Sequence, residues 1–505
     1  MRVVELATTL EPDKLLFHSM RGKEELGRLG EYRLEMLSLD PKIDFDAVLG
    51  QPLTVKLALD NDEQRMFSGH VSRISQVGTH GRFTVYRATV RPWLWFLTRT
   101  TNCRIFQDKT VPDILKEVFA QHAPVADVEF ALTESYPPWD YCVQYRETDF
   151  DFVSRLMEHE GIYYFVKHAD GKHTLVLADS YSAHPVAPLA EVPFIDPKRL
   201  ARPDLDQVSE WAVHRELQAA RFALIDYDFE KPNVTLHVKA STKQKHAMAD
   251  YEHFDYPGDF TERKDGEAYV RKRKEETQAK FERAEGATNA RALATGSLFS
   301  LTNHPRDDQN TEYLMVSADV ELTMSEYESG EANGGAEYRC RFTAINSHQP
   351  FRSERLTPKP IIHGPQTATT VGPDGEIIHT DEYGRVKVQF HWDRYGKYDD
   401  KSSCWIRVSQ NWGGRGWGGM FIPHVKQEVI VEFLEGDPDL PLITGRVYNK
   451  NNMPPIELPA GKTQSIIRDH GSNQIIMQGH DGVQQIHISS PTSGTMITIG
   501  AKRKT

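Results

Sequence analysis

This sequence of 505 residues has only four cysteines, no long apolar run and no excess of positive charge. The four cysteines show no C-x-x-C spacing, which excludes a disulfide framework and a zinc clamp of that type and fits synthesis in a reducing cytoplasm. The first residues, MRVVELATTLEPDK, lack the apolar centre of a signal peptide, and no stretch approaches the ~20 apolar residues that span a bilayer. We therefore expect this protein to leave a cell only if another machine carries it.

Positive charge is outweighed by negative charge. Sixty Lys and Arg against seventy-two Asp and Glu give a net charge of −12. An acidic surface repels phosphate backbones and anionic lipid, which argues against a general nucleic-acid or membrane-surface role. Hydrophobic residues make up 39% and charged residues 26%, a composition typical of a folded protein. At ~150 residues per domain, the length predicts about three domains.

The first half of the chain reads as short alternating β runs, for example at 53–57 and 83–90. One helix is clear, in ETDFDFVSRLMEHEG. Thr148 is at its N-cap position, apolar residues repeat at helical spacing, and Gly161 follows as a stop. A second helix is predicted over about 267–284. Its dense mixture of Lys, Arg and Glu favours a solvated face.

From Gly384 the pattern changes to short strands separated by glycine and Asp-Pro turns. Val386, Val388 and Phe390 alternate, and two further alternating runs follow at 406–408 and 429–433. About five such strands in some 70 residues predict a small Greek-key barrel, such as an oligonucleotide/oligosaccharide-binding (OB) fold.

The last part of the chain contains an internal repeat of eleven residues: NQIIMQGHDGV, QQIHISSPTSG and TMITIGAKRKT. Each unit reads as a short strand with two aliphatic residues on one face. Two aliphatics per unit bury too little surface to offset the cost of ordering the backbone. We therefore expect the tail to fold only as an assembly of several chains. The predicted inward residues are Ile475, Met477, Ile486, Ile488, Ile497 and Ile499.

Several motifs resemble binding sites but lack the neighbouring elements or charges that such sites require. The run 414–419 matches G-x-G-x-x-G, yet a strand rather than a helix is predicted to follow, so we interpret it as a barrel loop. Trp412, Arg415 and Trp417 could stack on bases, but the barrel carries ten basic and ten acidic residues and hence no basic groove. Packing of the loop tryptophans against a neighbouring chain is the favoured interpretation.

Carboxylates and histidines also cluster. Asp149, Asp151, Glu158 and Glu160 are spread along one predicted helix, and Asp437 and Asp439 flank a turn proline, so a convergent catalytic acid pair is disfavoured. The histidines at 470, 480 and 487 could hold a metal around a symmetry axis. However, His487 lies between Ile486 and Ile488 and faces outward if they face inward, so we expect no metal and no cofactor.

Three long segments together resemble one family: CVQYRETDFDFVSRLMEHEGIYYFV, DEYGRVKVQFHWDRYG, and CWIRVSQNWGGRGWGGMFIPHVKQEVIVEFLEGDPDLPLITGRVYN. They resemble the type VI secretion spike family, valine–glycine repeat protein G (VgrG). The resemblance implies a mainly β fold with a few helices. It comprises a phage-hub-like double β-barrel with helical insertions over 1–365, an OB barrel over 366–450, and a linker with the start of an intertwined triple-stranded β-helix over 451–505.

The same resemblance implies a structural homotrimer that is not an enzyme. Its implied partners are a hexameric secreted tube protein at the hub end, baseplate proteins, and a PAAR-type tip protein or an effector, including an Rhs-type effector, at the C-terminal end. The resemblance also implies cytoplasmic assembly, transient passage through membranes and secretion by the type VI apparatus. From the charge balance we expect no binding of nucleic acid. The alternative is an OB-fold binding protein for polysaccharide or single-stranded nucleic acid.

Two departures from the family pattern qualify this expectation. Only some ten residues, 449–459, occupy the place where the phage needle carries a lysozyme domain, so we expect no glycosidase there. The tail has three repeat units before the basic stretch 502–504, whereas relatives usually have more. This short shaft leaves open which tip or effector it carries, and we expect no C-terminal toxin domain within this chain.

Overall fold

The computed structural model describes residues 3–59, 63–198, 205–248, 250–324 and 336–500. The chain divides into two compact units, Met1–Pro360 (unit 1) and Ile361–Thr505 (unit 2). The described residues form thirty-one strands and three α-helices, which confirms the expected mainly β fold class. Short 3-10 helices cover Trp93–Arg99, Tyr181–Ala183, Asp307–Gln309, Leu434–Gly436 and Thr492–Gly494. The basic stretch 502–504 lies outside the described residues.

Unit 1 begins with six antiparallel strands in the order β1-β4-β5-β6-β3-β2 once they are numbered along the chain. They are β1 (Val4–Ala7), β2 (Leu16–Glu25), β3 (Glu31–Ser38), β4 (Pro52–Ala58), β5 (Gln64–His80) and β6 (Phe83–Arg91). Alternation places one face inside: Val55 of β4 is opposite Phe67 of β5, and both are buried. The β runs predicted at 53–57 and 83–90 are therefore confirmed.

A second region of unit 1 combines helices with short strands. Its elements are β7 (Thr101–Phe106), β8 (Lys109–Thr110), α1 (Val111–Ala120), β9 (Val128–Ala131), β10 (Pro138–Trp139), β11 (Cys142–Thr148), α2 (Asp149–Glu160), β12 (Tyr163–Ala169) and β13 (Lys172–Ala178). The region has its own hydrophobic core, in which Trp93 packs edge-on against Phe119 and Phe106 stacks on Phe152.

Helix α2 has the ends that the sequence predicts. The Thr148 side chain accepts a hydrogen bond from the Asp151 amide, and Gly161 ends the helix at a φ of 69°, where a side chain would be strained. Phe152 and Leu156 point into the core. The sequence alone did not indicate α1, although Thr110 caps it and Pro112 lies in its first turn.

The remaining elements of unit 1 return to the large sheet. They are β14 (Val186–Pro193), β15 (Val208–Arg215), β16 (Arg221–Asp226), β17 (Leu236–Ser241), β18 (Glu252–Asp255), α3 (Arg263–Gln278), β19 (Glu282–Thr288), β20 (Leu298–Thr302), β21 (Glu312–Met324) and β22 (Ala336–Asn346). Strand β2 pairs with β21, which joins the six N-terminal strands to β14, β15 and β19–β22 in one twelve-stranded sheet. Strands β16–β18 form a separate sheet beneath α3.

Helix α3 corrects the prediction for 267–284. It begins four residues earlier and ends before the predicted end, because β19 begins at Glu282. Its charged residues are not all solvated: Lys272 and Arg273 are buried. Lys272 forms an ion pair with Glu160 of α2, so the helix face covers the end of α2 instead of facing water.

Unit 2 begins with a five-stranded sheet of order β24-β23-β26-β27-β25. Its strands are β23 (Gln366–Val371), β24 (Lys387–Phe390), β25 (Arg407–Val408), β26 (Glu428–Phe433) and β27 (Pro441–Val447). Val386 and Ile406, just outside β24 and β25, exchange backbone hydrogen bonds of 3.0 and 2.8 Å. This bridge connects the two ends of the sheet order, so the strands close into the small barrel that the sequence predicts.

The tail of unit 2 is a four-stranded antiparallel meander. Its strands are β28 (Gln464–Arg468), β29 (Gln474–Gln478), β30 (Gln485–Ser490) and β31 (Thr495–Ile499). The repeat predicts the last three of these strands. The first was not predicted, although Ile466 and Ile467 precede a turn at 469–473 in the same way as the aliphatics of the repeat.

Candidate functional site

The six aliphatic residues predicted from the repeat lie on one face of the tail sheet. Ile475 of β29 pairs with Ile488 of β30, and Met477 pairs with Ile486. On the other side of β30, Ile488 pairs with Ile497 of β31 and Ile486 pairs with Ile499. The side chains therefore form two parallel rows across the strands, which we call the tail apolar face.

Strand β28 lengthens one of these rows. Ile467 is opposite Ile475, so four isoleucines follow one another across the sheet in that row. In the second row β28 contributes Ser465, opposite Met477. The tail apolar face therefore extends one strand further than the repeat indicates, and it narrows at β28.

Within one chain the tail apolar face is open to water. The six aliphatic side chains are 37% to 55% exposed. Isoleucine and methionine are among the residues most often buried, and a contiguous exposed row of them marks an interaction surface. Because this flat apolar face lies on one side of the sheet, it suits another apolar face of the same shape.

The opposite face of the tail sheet is mostly polar, with a minority of aliphatic side chains. His487 lies in a cross-strand row between Ile476 and Thr498, and its Nδ1 is 3.1 Å from the Thr498 hydroxyl oxygen. Its side chain thus points away from Ile486 and Ile488, as the alternation predicts. Across the described ranges, no group of three His, Cys, Asp or Glu side chains is arranged to hold a metal.

The glycine-rich run of the barrel forms a loop with two exposed tryptophans. Gly414 and Trp417 form an isolated bridge, and no helix follows within the described residues up to β26, so the geometry of a dinucleotide site is not present there. Trp412 is 80% exposed, and its ring centroid is 5.4 Å from that of Trp417. Met420 and Phe421 are exposed beside them, and we call these four residues the aromatic loop.

The acidic residues of α2 serve the structure of unit 1. Asp149 accepts hydrogen bonds from Arg104 and from the Gln144 amide at 2.9 and 2.8 Å, and all three residues are buried. Glu160 accepts hydrogen bonds from Lys272 at 2.8 Å and from the Tyr269 hydroxyl at 3.0 Å. Each carboxylate is thus held by donors of the protein, which a buried charge requires.

Among the described residues, no helix has the length and hydropathy to cross a bilayer.

Comparison with known proteins identifies the family. A model of the phage tail baseplate hub matches residues 23–326, within unit 1. A model of the type VI secretion system/phage-baseplate injector OB domain matches residues 375–448, over the barrel of unit 2. The spike protein VgrG1a of Pseudomonas aeruginosa is 47% identical over 496 residues, which are 96% of this chain and 77% of the relative. The chain belongs to the type VI secretion system spike (VgrG) family. Its role is accordingly structural.

Solved structures agree in fold. A component of the Escherichia coli type VI secretion system, described as similar to the T4 bacteriophage tail proteins gp27 and gp5, superposes with a TM-score of 0.63 at 18% identity, covering 88% of this chain and 100% of the other. A chain of a Francisella PdpA–VgrG complex superposes with a TM-score of 0.65 at 10% identity, covering 99% of this chain and 78% of the other. At these identities the agreement concerns the fold alone. The domain boundaries after residues 365 and 450 remain predictions.

Proposed function

We propose that three copies of this VgrG-family chain form a trimeric spike that caps the secreted tube, is driven through target membranes and carries effectors. The observation that carries the proposal is the tail apolar face. Its six aliphatic side chains are arranged in register and are left uncovered by their own chain. Three such faces turned toward one axis would form a dry prism whose stability grows with the buried apolar area.

The aromatic loop is a second contact in this proposal. It extends from a closed barrel, and its tryptophan rings project into solvent in the single chain. Large aromatic side chains with a polar edge are enriched at protein interfaces. The barrel has equal numbers of acidic and basic residues, which suits packing against a neighbouring copy better than binding a polyanion.

The partners in this proposal are those that the family resemblance suggests. Unit 1, which matches the baseplate hub, is the part that would contact the hexameric tube protein and the baseplate. The end of the tail would carry a PAAR-type tip protein or an effector, including an Rhs-type effector. Assembly would take place in the cytoplasm, and the spike would leave the cell with the tube. In this proposal the chain is a mechanical component without catalytic activity, metal or cofactor.

The test uses cells of the source bacterium from which the gene has been deleted. We expect the wild-type chain to restore release of the tube protein into the medium. We expect Ile488→Asp to reduce that release to background, because a trimer would bring three unpaired carboxylates to a dry axis. Thr498→Asp is the matched control: it adds the same charge to the polar face of the neighbouring strand, and secretion should continue. Normal secretion with Ile488→Asp would contradict the proposal.

A further inference from the structure

The chain leaves unit 1 through a stretch without helix or strand. Between the end of β22 at Asn346 and the start of β23 at Gln366, the described residues form only turns and irregular backbone. The boundary between the two units falls inside this stretch, after Pro360. Irregular connections normally run over the surface, yet Phe351, Arg352 and Ser353 are buried. We call residues 351–357 the exit segment.

One carboxylate holds the end of the exit segment. Glu158, in the last turn of α2, is 4% exposed. Its Oε2 accepts hydrogen bonds from the backbone amides of Leu356 and Thr357 at 3.0 and 2.9 Å. Its Oε1 accepts from Arg28 Nη1 at 2.7 Å and from the Thr357 hydroxyl at 3.2 Å. Four donors on one buried carboxylate satisfy its usual hydrogen-bonding capacity.

Arg352 holds the start of the exit segment in the same way. Its guanidinium donates to the Gly161 carbonyl oxygen at 2.9 Å and to Glu275 of α3 at 2.9 Å, and it also contacts Glu134. Arg28 donates a second hydrogen bond, through Nη2, to the carbonyl oxygen of Glu354 at 2.7 Å. The exit segment is thus tied by charged side chains to α2, to α3 and to the connection between β2 and β3.

These contacts determine whether the exit segment can transmit a compressive force. An unstructured tether carries tension but not compression, since its ends approach each other at little cost. A spike that is pushed from its hub needs ordered backbone up to the point where the chain leaves the hub. Sheet pairing cannot supply that order here, because no strand covers residues 347–365.

We propose that Glu158, Arg28 and Arg352 form a latch that fixes the exit segment to unit 1, so that a push on the hub is passed to the spike. This inference rests on the proposed function for its mechanical meaning, whereas the latch itself can be tested without it. Backbone amides that donate to a buried carboxylate are protected from hydrogen exchange with solvent, although they belong to no helix or strand. Once the carboxylate is removed, these donors are left without a protein acceptor.

Hydrogen exchange of the full-length protein, read by mass spectrometry on peptides covering 351–360, tests the latch. We expect the wild-type amides of Leu356 and Thr357 to be protected. We expect Glu158→Ala to raise their exchange rate by about 10-fold or more, and Glu158→Gln, which keeps an acceptor oxygen, to raise it less. Glu267→Gln, an exposed change on α3, should leave the rate unchanged. Wild-type exchange at the rate of an open chain would overturn the latch, as would equal rates in the wild type and Glu158→Ala.

A second readout tests the mechanical role. We expect Glu158→Gln to keep the trimer mass and the folded content of unit 1 but to lower tube-protein release several-fold. Faster exchange with undiminished release would overturn the role of the latch in transmitting force. A monomeric wild-type protein would instead overturn the proposed function, and the exchange experiment would still decide whether the exit segment is fixed by Glu158.

Discussion

Unit 1 and the tail use the same kinds of apolar side chain in opposite ways. In unit 1, Trp93 and Phe152 are fully buried within their own chain. In the tail, Ile475 and Ile497 are aligned in register but remain 37% and 55% exposed. Unit 1 therefore contains the burial that its folding requires. The tail leaves its aligned aliphatic residues uncovered within one chain, and in the proposed trimer the other copies would cover them and stabilise the tail.

The substitution with the largest expected effect acts on the tail and should leave unit 1 folded. Ile486→Asp places a carboxylate on the tail apolar face, and in a trimer it would place three on the axis, where unpaired buried charge is strongly unfavourable. We expect the mass from light scattering to fall from three times 57.6 kDa to that of one chain, while unit 1 stays folded. His487→Asp, one residue further and on the polar face, is the control and should keep the larger mass. An unchanged mass for Ile486→Asp would contradict this assignment of the face.

A change in the core of unit 1 should lower the free energy of unfolding without changing the mass of the assembly. Phe152→Ala removes a fully buried ring that stacks on Phe106. We expect it to cost about 3–5 kcal/mol of unfolding free energy, from lost burial and from the cavity left behind. Urea unfolding followed by tryptophan fluorescence measures this cost. The loss should not depend on protein concentration, and the mass should remain that of the assembly. A loss that varied with concentration would show that unit 1 also depends on other copies.

Acid should destabilise unit 1 through its buried histidines. Burial lowers the pKa of His173 to about 3 and that of His184 to about 4. The Trp93 amide donates a hydrogen bond to His173 Nε2 at 2.7 Å, which requires the neutral ring. Because these folded-state pKa values lie below the unfolded value of ~6.5, the unfolded state takes up protons first, and stability falls as the pH drops below about 6.5.

The expected loss between pH 7 and pH 5 is about 2 kcal/mol for each of these two histidines. Thermal unfolding followed by tryptophan fluorescence at a series of pH values checks it, since Trp93 adjoins His173. His173→Gln, which keeps an acceptor but cannot take up the proton, should remove the share of this loss that His173 contributes and leave that of His184. A midpoint for unit 1 that does not change over this range would contradict the account of its buried histidines.

Local patterns explain what could be predicted from the sequence. The cap, the apolar spacing and the terminal glycine of α2 are all determined within fifteen residues, and the structure confirms them. The tail rows were predictable because alternation and an eleven-residue period fix which side chains share a face. The barrel was predictable because about five alternating runs follow one another within some 70 residues, and its closing bridge joins Val386 and Ile406 of two of those runs.

Contacts between distant residues explain what could not be predicted. The pairing of β2 with β21 joins residues about three hundred positions apart, and no local pattern marks it. Lys272 looks like part of a solvated helix until its partner Glu160 is seen. Glu158 stands out in the sequence only as a member of an acidic cluster, because two of its hydrogen-bond donors are backbone amides, which leave no trace in a sequence.

The mass of the full-length wild-type protein, measured by light scattering over a series of dilutions, tests the central claim most directly. If the tail is half of an interface, the mass stays at three times 57.6 kDa, and the amides of β29 and β30 are protected from exchange only in that state. A single chain of 57.6 kDa with the same protected amides would show that the tail needs no partner and would contradict the account.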